Sequence, residues 1–287
     1  MTEYRVNDGF VQTLDGGQHW KQVDFYPTPN QSGTIRPKYL VIHFTAGRSD
    51  AHGTAKYFQR PAAKASAHLN LSEDGTLTQN VSLNKKAWHA GKSSWGGDNN
   101  LNNHSIGIEV CNPGPLEITA NGYKSWFGTY YDDPSIIEGP HPNKPDGQVY
   151  GWLPFTDEQI QVLLNLGRVI IDEYNLLETV GHDMIAPYRK TDPGLCMSQT
   201  IYRKLNDQPR CDDSTDAETD WIWYVSNDIQ EHLNGRSGPG TGYSVLAKLQ
   251  PCTIVEEIVE RKGVWWQVET GDGLIVWVHS KFLRTRR

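Results

Sequence analysis

Between Gly181 and Gly194 the chain reads GHDMIAPYRKTDPG, and three of its side chains could share one pocket. Pro187 and Pro193 exclude a regular helix through the stretch, so it is expected to be an extended loop leaving a short strand. Residues two apart on extended backbone project to the same side, which sends Lys190 and Asp192 together. His182 stands at the strand end, and the intervening loop is long enough to curl back beside it. A neutral imidazole and a carboxylate are good zinc ligands, and an ammonium is a good oxyanion partner.

A catalytic zinc needs a third protein ligand and one open position. His43 is the best candidate. It lies inside YLVIHF, Tyr39–Phe44, a continuous apolar run flanked by Pro37 and Gly47, as expected of a buried central strand. A polar ring there costs free energy unless it is hydrogen-bonded or bound to metal. A lone core histidine is most often simply hydrogen-bonded. Glu109, inside IGIEV, poses the same question with a carboxylate. Two costly polar residues in strands, together with the His–Lys–Asp loop, shift the balance toward a site.

The elements that must position these residues mix two periods. Ala67–Leu71 and Leu77–Val81, joined by Ser72-Glu73-Asp74-Gly75, read as a hairpin, and Ser105–Cys111 as another strand. Thr156 with Gln159 three residues on forms a capping box. Ile160, Leu163, Leu164, Gly167, Ile170, Ile171 and Tyr174 then mark one helical face. The expected class is α/β, a mixed central sheet flanked by helices.

The chain has 287 residues, enough for two domains. Hydrophobic content of 37% and charged content of 21% exclude disorder over most of it. No apolar run reaches the roughly 18 residues of a membrane-spanning helix. Net charge is −7, which argues against a nucleic-acid partner. A polar, acidic stretch at 207–220 reads as a solvated linker, separating a first domain at 1–206 (core 38–203) from a second at 221–287. Beyond it the pattern is all β: Trp221–Ser226, Thr253–Arg261, Val264–Thr270 and Leu274–His279 are short β-branched or aromatic runs, expected to form a small barrel. Cys111, Cys196, Cys211 and Cys252 have no CxxC spacing and read as mostly reduced thiols, with a disulfide left open. The N-terminal MTEYRVNDGFVQ has no basic region followed by an apolar stretch, so export by a signal peptide is not expected.

The segments YLVIHFTAG, AWHAG, SIGIEV and GHDMIAPYRKTDPG, in that order, resemble the zinc-dependent type 2 N-acetylmuramoyl-L-alanine amidases, relatives of phage amidases and peptidoglycan recognition proteins. The resemblance covers about Lys38 to Arg203. It implies one zinc held by His43, His182 and Asp192, with Glu109 as the acidic residue near the metal and Lys190 as the catalytic lysine. The implied reaction is hydrolysis of the amide between the muramic acid lactyl group and L-alanine. Zinc would lower the pKa of its water to about 7. Glu109 would carry a proton to the leaving amine, and Lys190 would stabilise the oxyanion.

In AWHAG, His89 and Trp88 match a family motif and are expected to line the cleft and touch substrate. His68, in ASAHLNL, is expected to be structural. The stretch from Cys111 to Phe155 departs from the shortest family members and carries Trp126, Phe127, Tyr130, Tyr131 and Trp152. Either it shapes substrate binding or it closes on its own aromatics. The tail, LNGRSGPGTGY followed by WWQVETGDGLIVWVHSKFL, resembles a bacterial SH3-like domain, and such modules often attach hydrolases to cell-wall polymer. Gly235 and Val276 stand where that pattern more often has a valine and a glycine.

The reading is a two-domain peptidoglycan amidase, made in the cytoplasm and acting on cell wall after release or delivery, with peptidoglycan or muropeptide as partner. Two alternatives accompany it. One is a recognition protein of the same fold that binds muropeptide without cutting it. The other is a cysteine peptidase using Cys111 or Cys196 with a histidine.

Overall fold

The computed structural model describes residues 2–15, 19–48, 50–141, 143, 147–206, 222–225, 232–250, 253–270 and 273–286. The chain divides into two compact units, Met1–Pro209 and Arg210–Arg287. The linker expected at 207–220 lies outside the described residues, as do Trp221, Cys211 and Cys252.

The first unit is built on a six-stranded mixed sheet. Its strands in chain order are β1 (Asp24–Phe25), β2 (Tyr39–Phe44), β3 (Leu69–Leu71), β4 (Leu77–Gln79), β5 (Ser105–Val110) and β6 (Glu178–Gly181), in the spatial order β6-β2-β5-β3-β4-β1. β6, β2, β5 and β3 run parallel, β3 and β4 form the antiparallel hairpin, and β1 lies parallel to β4. All six residues of β2 are buried, which is why that run reads as uninterrupted apolar sequence apart from His43.

Among the described residues four α-helices accompany the sheet: α1 (Ala51–Phe58), α2 (Asp157–Tyr174), the single turn α3 (His182–Ile185) and α4 (Gln199–Asn206). α2 opens on the expected capping box, with the Thr156 hydroxyl accepting from the Gln159 amide and the Gln159 side chain accepting from the Thr156 amide. Its buried face is centred on Val162, Leu163, Leu166, Gly167, Ile170 and Ile171, while Ile160, Leu164 and Tyr174 lie at the border. The expected face was therefore displaced around the helix. Apolar residues cover so wide an arc of α2 that spacing alone does not mark its centre.

Two parts of this unit carry structure that the sequence pattern did not announce. An antiparallel meander, Tyr4–Asn7, Phe10–Asp15 and His19–Gln22, precedes the sheet. The buried Gln79 amide ties it down, donating to the Gly9 carbonyl and accepting from the Val11 amide. The 111–155 stretch holds a second meander, Glu117–Thr119, Gly122–Lys124 and Tyr130–Tyr131, and a hairpin, Ile137–Pro140 with Val149–Trp152. Trp152 is fully buried and donates its indole N–H to the Gly139 carbonyl.

The described residues of the second unit are mostly β, with seven antiparallel strands. Four fall where the pattern placed them, and Leu233–Arg236, Val245–Leu249 and Leu283–Arg286 are additional. Leu249 and Leu283 come from opposite ends of the strand order yet share one core with Val225, Leu233, Val255, Val268, Val276 and Val278, so the sheet is rolled around that core. The two departures from the SH3-like pattern meet inside it. A Cβ on Gly235 would lie 2.8 Å from Val276 Cγ2, so the valine fills the space that the glycine leaves.

Candidate functional site

Strand register assembles the site. Glu109 on β5 pairs with His43 on β2, so the two polar side chains of otherwise apolar strands stand next to each other. Gly181 at the end of β6 pairs with Ile42, which delivers His182 beside His43. The chain then departs from the extended path expected for it. His182–Ile185 makes one helical turn before Pro187, because four non-proline residues follow His182 and nothing there forbids helical backbone. The loop folds back until the Asp183 amide donates to the Asp192 carbonyl over 2.7 Å, which brings the Asp192 side chain against both histidines.

His43 Nδ1, His182 Nδ1 and Asp192 Oδ2 form a triangle with all three sides at 2.9 Å. All three residues are buried. Their partners settle the protons. His182 Nε2 faces the Ala90 carbonyl at 3.2 Å, which can only accept. Arg189 Nη2, 3.3 Å away, spends its two hydrogens on the Ala90 and Lys92 carbonyls, so the tautomer with its proton on Nε2 fits and turns a lone pair inward. The Ser105 hydroxyl donates to the Leu101 carbonyl and so accepts from His89 Nε2 at 3.2 Å. His89 Nδ1 is then an acceptor, and His43 Nε2 must donate to it over 3.0 Å, leaving His43 Nδ1 with its lone pair inward too. Burial, and next the neighbouring His182, push the His43 pKa down to about 4, which keeps the ring neutral at ordinary pH. Two imidazole lone pairs and a carboxylate thus converge with no donor among them. That donor set and spacing fit a zinc ion, whose tetrahedral ligands lie about 3.3 Å apart.

A cleft of about 1110 Å³ opens over the triangle, lined by Glu109, Lys190, His182 and Asp192 among others. Glu109 Oε2 is buried without a hydrogen-bond partner. Burial first, and the Asp192 carboxylate second, hold its pKa well above the usual carboxylate value, against the opposing pull of Lys190. Such a carboxyl is suited to accept and return a proton. Lys190 is half-buried, on backbone fixed at both ends of its peptide: its amide donates to Ala186 O, and its carbonyl accepts from Asn143 Nδ2.

Trp88 and His89, both expected at the cleft, do line it. Trp88 is half-buried and turns its indole N–H to the Ser32 hydroxyl. His89 is 8% exposed, with both ring nitrogens engaged beneath His43, so it braces His43 and keeps no free nitrogen for substrate. Its ring needs Gly107 beneath it, where a Cβ would sit 2.5 Å from Nδ1. His68 is fully buried, accepting from the Gly107 amide and bonded to the Lys85 carbonyl.

Three contributors carry no sequence signal. Ser105 is an ordinary residue for a strand start. Arg189 donates to the carbonyls of Ala90 and Lys92, fastening the loop after AWHAG to the loop of Lys190. Asn143 reaches from the 111–155 stretch to the carbonyls of both Asp183 and Lys190.

The two described cysteines, Cys111 and Cys196, are buried free thiols. Cys111 faces the Thr54 hydroxyl, and burial pushes its thiol up to about 12. Cys196 donates to the Asn112 side chain and is likewise pushed up by burial. Neither thiol is poised as a nucleophile.

A family model described as N-acetylmuramoyl-L-alanine amidase matches residues 33–195, and one described as bacterial SH3 domain matches residues 231–284. The N-acetylmuramoyl-L-alanine amidase AmiD of Escherichia coli is 33% identical over 169 residues, covering 57% of this chain and 51% of that protein. The 1,6-anhydro-N-acetylmuramyl-L-alanine amidase AmpD of Salmonella typhimurium is 31% identical over 144 residues, 50% of this chain and 57% of that one. The chain therefore spans about half the length of these curated relatives. A solved structure of the E. coli AmiD in complex with the substrate anhydro-N-acetylmuramic acid-L-Ala-D-gamma-Glu-L-Lys covers 70% of this chain and 65% of its own, at 26% identity and a TM-score of 0.44.

Proposed function

Because the chain belongs to the N-acetylmuramoyl-L-alanine amidase family over more than half its length, we propose that it hydrolyses the amide joining the lactyl group of N-acetylmuramic acid to L-alanine in peptidoglycan or its fragments. The observation that carries the reading is the convergence of three lone pairs, from His43, His182 and Asp192, beside an unpartnered Glu109 oxygen in one cleft.

His43, His182 and Asp192 would hold one zinc ion, which when bound acidifies a water and polarises a carbonyl. The rest of the chemistry belongs to the chain. Glu109 takes a proton from the attacking water at its free oxygen and delivers it to the departing alanine nitrogen. The Lys190 ammonium faces the oxygen of the lactyl carbonyl and offsets the charge that develops there. His89 and Ser105 hold the His43 ring in the tautomer that keeps Nδ1 available. Retention of Glu109 and Lys190 with the three ligands favours cutting over binding alone, and the unactivated thiols disfavour a cysteine peptidase.

The second unit, which matches a bacterial SH3 domain, serves in this reading to attach the enzyme to wall polymer. Among the described residues no helix is long and apolar enough to cross a membrane.

Digestion of purified sacculi tests the function. New L-alanine amino termini should appear without new reducing sugar ends, and a chelator should stop the reaction until zinc is restored. Reducing ends rising in step with turbidity loss would show a glycosidase instead.

A further inference from the structure

We infer that Trp126, at the tip of the 111–155 stretch, is a platform on which a saccharide ring of the substrate stacks. The inference rests on the amidase reading and extends it to the part of the substrate away from the scissile amide.

Trp126 is 76% exposed, unusual for so large an apolar side chain. It is nevertheless fixed. Ser125 to Thr129 closes a tight turn in which the Ser125 amide donates to Thr129 O, the Gly128 amide donates to Ser125 O, and the Ser125 hydroxyl accepts from the Thr129 amide. The Trp126 indole N–H donates to the Ala46 carbonyl over 2.7 Å. Phe127 packs edge-on against it with centroids 5.6 Å apart. Arg48 lies 4.9 Å from the Phe127 ring centre and donates to the Phe127 carbonyl. The one polar atom of the indole is thus consumed on the protein side, and the apolar plate is left to the cleft.

Its location selects the occupant. Trp126 and Phe127 line the same cleft as Glu109, Lys190, His182 and Asp192. The anchoring Ala46 is three residues beyond His43, a span of at most about 11 Å along the chain. A group stacked there is therefore covalently close to the bond held at the triad. Of the two sides of the proposed substrate, the stem peptide offers small and charged groups, whereas a pyranose offers a rigid ring with an apolar C–H face of the indole's width. A plate already immobilised loses little entropy on binding such a ring.

The contact is made in the ground state and the transition state alike, so it belongs to KM and not to kcat. Two soluble substrates test it with the zinc-loaded, full-length protein: a muramyl peptide, and the same D-lactyl peptide without its sugar. Trp126→Ala should raise KM on the muramyl peptide by about tenfold, the scale of one aromatic contact. It should leave kcat, and both constants on the sugar-free peptide, unchanged. Trp126→Phe should fall between, and the melting temperature of each variant guards against a folding defect. A wild-type protein that cuts neither substrate would overturn the amidase reading itself. With a competent wild type, an equal KM change on both substrates would assign the plate to the peptide, and no change on either would leave it without a substrate role; both outcomes overturn the inference.

Discussion

His43 donates from Nε2 to Nδ1 of His89 over 3.0 Å, and through that bond His89 decides which nitrogen His43 turns toward Asp192. The order of protons is anchored at the Leu101 carbonyl, two bonds further on, because a carbonyl can only accept. A ring packed under a strand, outside the triangle of His43, His182 and Asp192, thereby sets the proton placement of one of its corners.

Removing this brace should weaken the metal site before it affects the fold. His89→Ala frees His43 to carry its proton on Nδ1, and zinc affinity should fall about 10–100-fold. His89→Gln can accept from His43 through its amide oxygen and donate to Ser105, so it should recover much of the loss. Competition against a chelator of known affinity measures both. Equal affinities in wild type and His89→Ala would refute the role.

Ligands and catalysts should separate. Lys190→Ala should keep its zinc yet lose about two or more orders of magnitude in kcat, as when one oxyanion donor is removed elsewhere. Glu109→Gln should behave similarly, since an amide cannot accept the proton of water. Because the carboxylate is the working form, activity should climb with pH through an acid limb set by Glu109, whose pKa burial raises in the metal-free site. A bound dication lowers that pKa, so the limb should lie below the Glu109 titration of the metal-free protein. Metal content and single-turnover rates on each variant decide the assignments.

Acid should destabilise the first unit through His68. Burial lowers its pKa to about 4. The unfolded chain therefore binds a proton between about pH 6.5 and 4 that the folded one refuses, and stability falls as pH falls through that window. The bond from the Gly107 amide to His68 Nδ1 works in the same direction, since a protonated ring cannot accept it. His68→Gln should flatten the pH dependence of the melting temperature there, whatever it does to the value at neutral pH. An unchanged slope would place the acid sensitivity elsewhere.

The two units have separate hydrophobic cores, so removal of 221–287 should leave the first folded. Hydrolysis of a soluble muropeptide should stay nearly intact, while hydrolysis of insoluble sacculi should drop, because tethering raises the effective concentration of the site near its bonds. Loss on both substrates by a folded truncation would tie the tail to catalysis instead. Equal activity on both would remove attachment from its function.

Much of this was legible in the sequence, for identifiable reasons. His43 and Glu109 stand out because each interrupts an apolar strand, and a buried polar group there needs a reason. Thr156 and Gln159 mark the start of α2 because capping chemistry is local. The supporting residues were hidden because their roles are not local. Arg189 and Asn143 act on carbonyls that lie far away in sequence, and Ser105, bonded to the nearby Leu101 carbonyl, matters only because His89 arrives beside it from another segment. His89 matched a motif, but only the packing over Gly107 shows that it faces the ligand.

The meeting of Gly235 and Val276 couples the two positions. A chain with valine at 235 and glycine at 276 cannot reach the present pair in one neutral step. Passing through two valines crowds a packed core at a cost of about 1–3 kcal/mol, and passing through two glycines leaves a void and a loosened strand. Either intermediate is less fit to fold than both ends of the path. The two positions therefore act as one unit of core volume, and Gly235→Val should be tolerated far better together with Val276→Gly than alone.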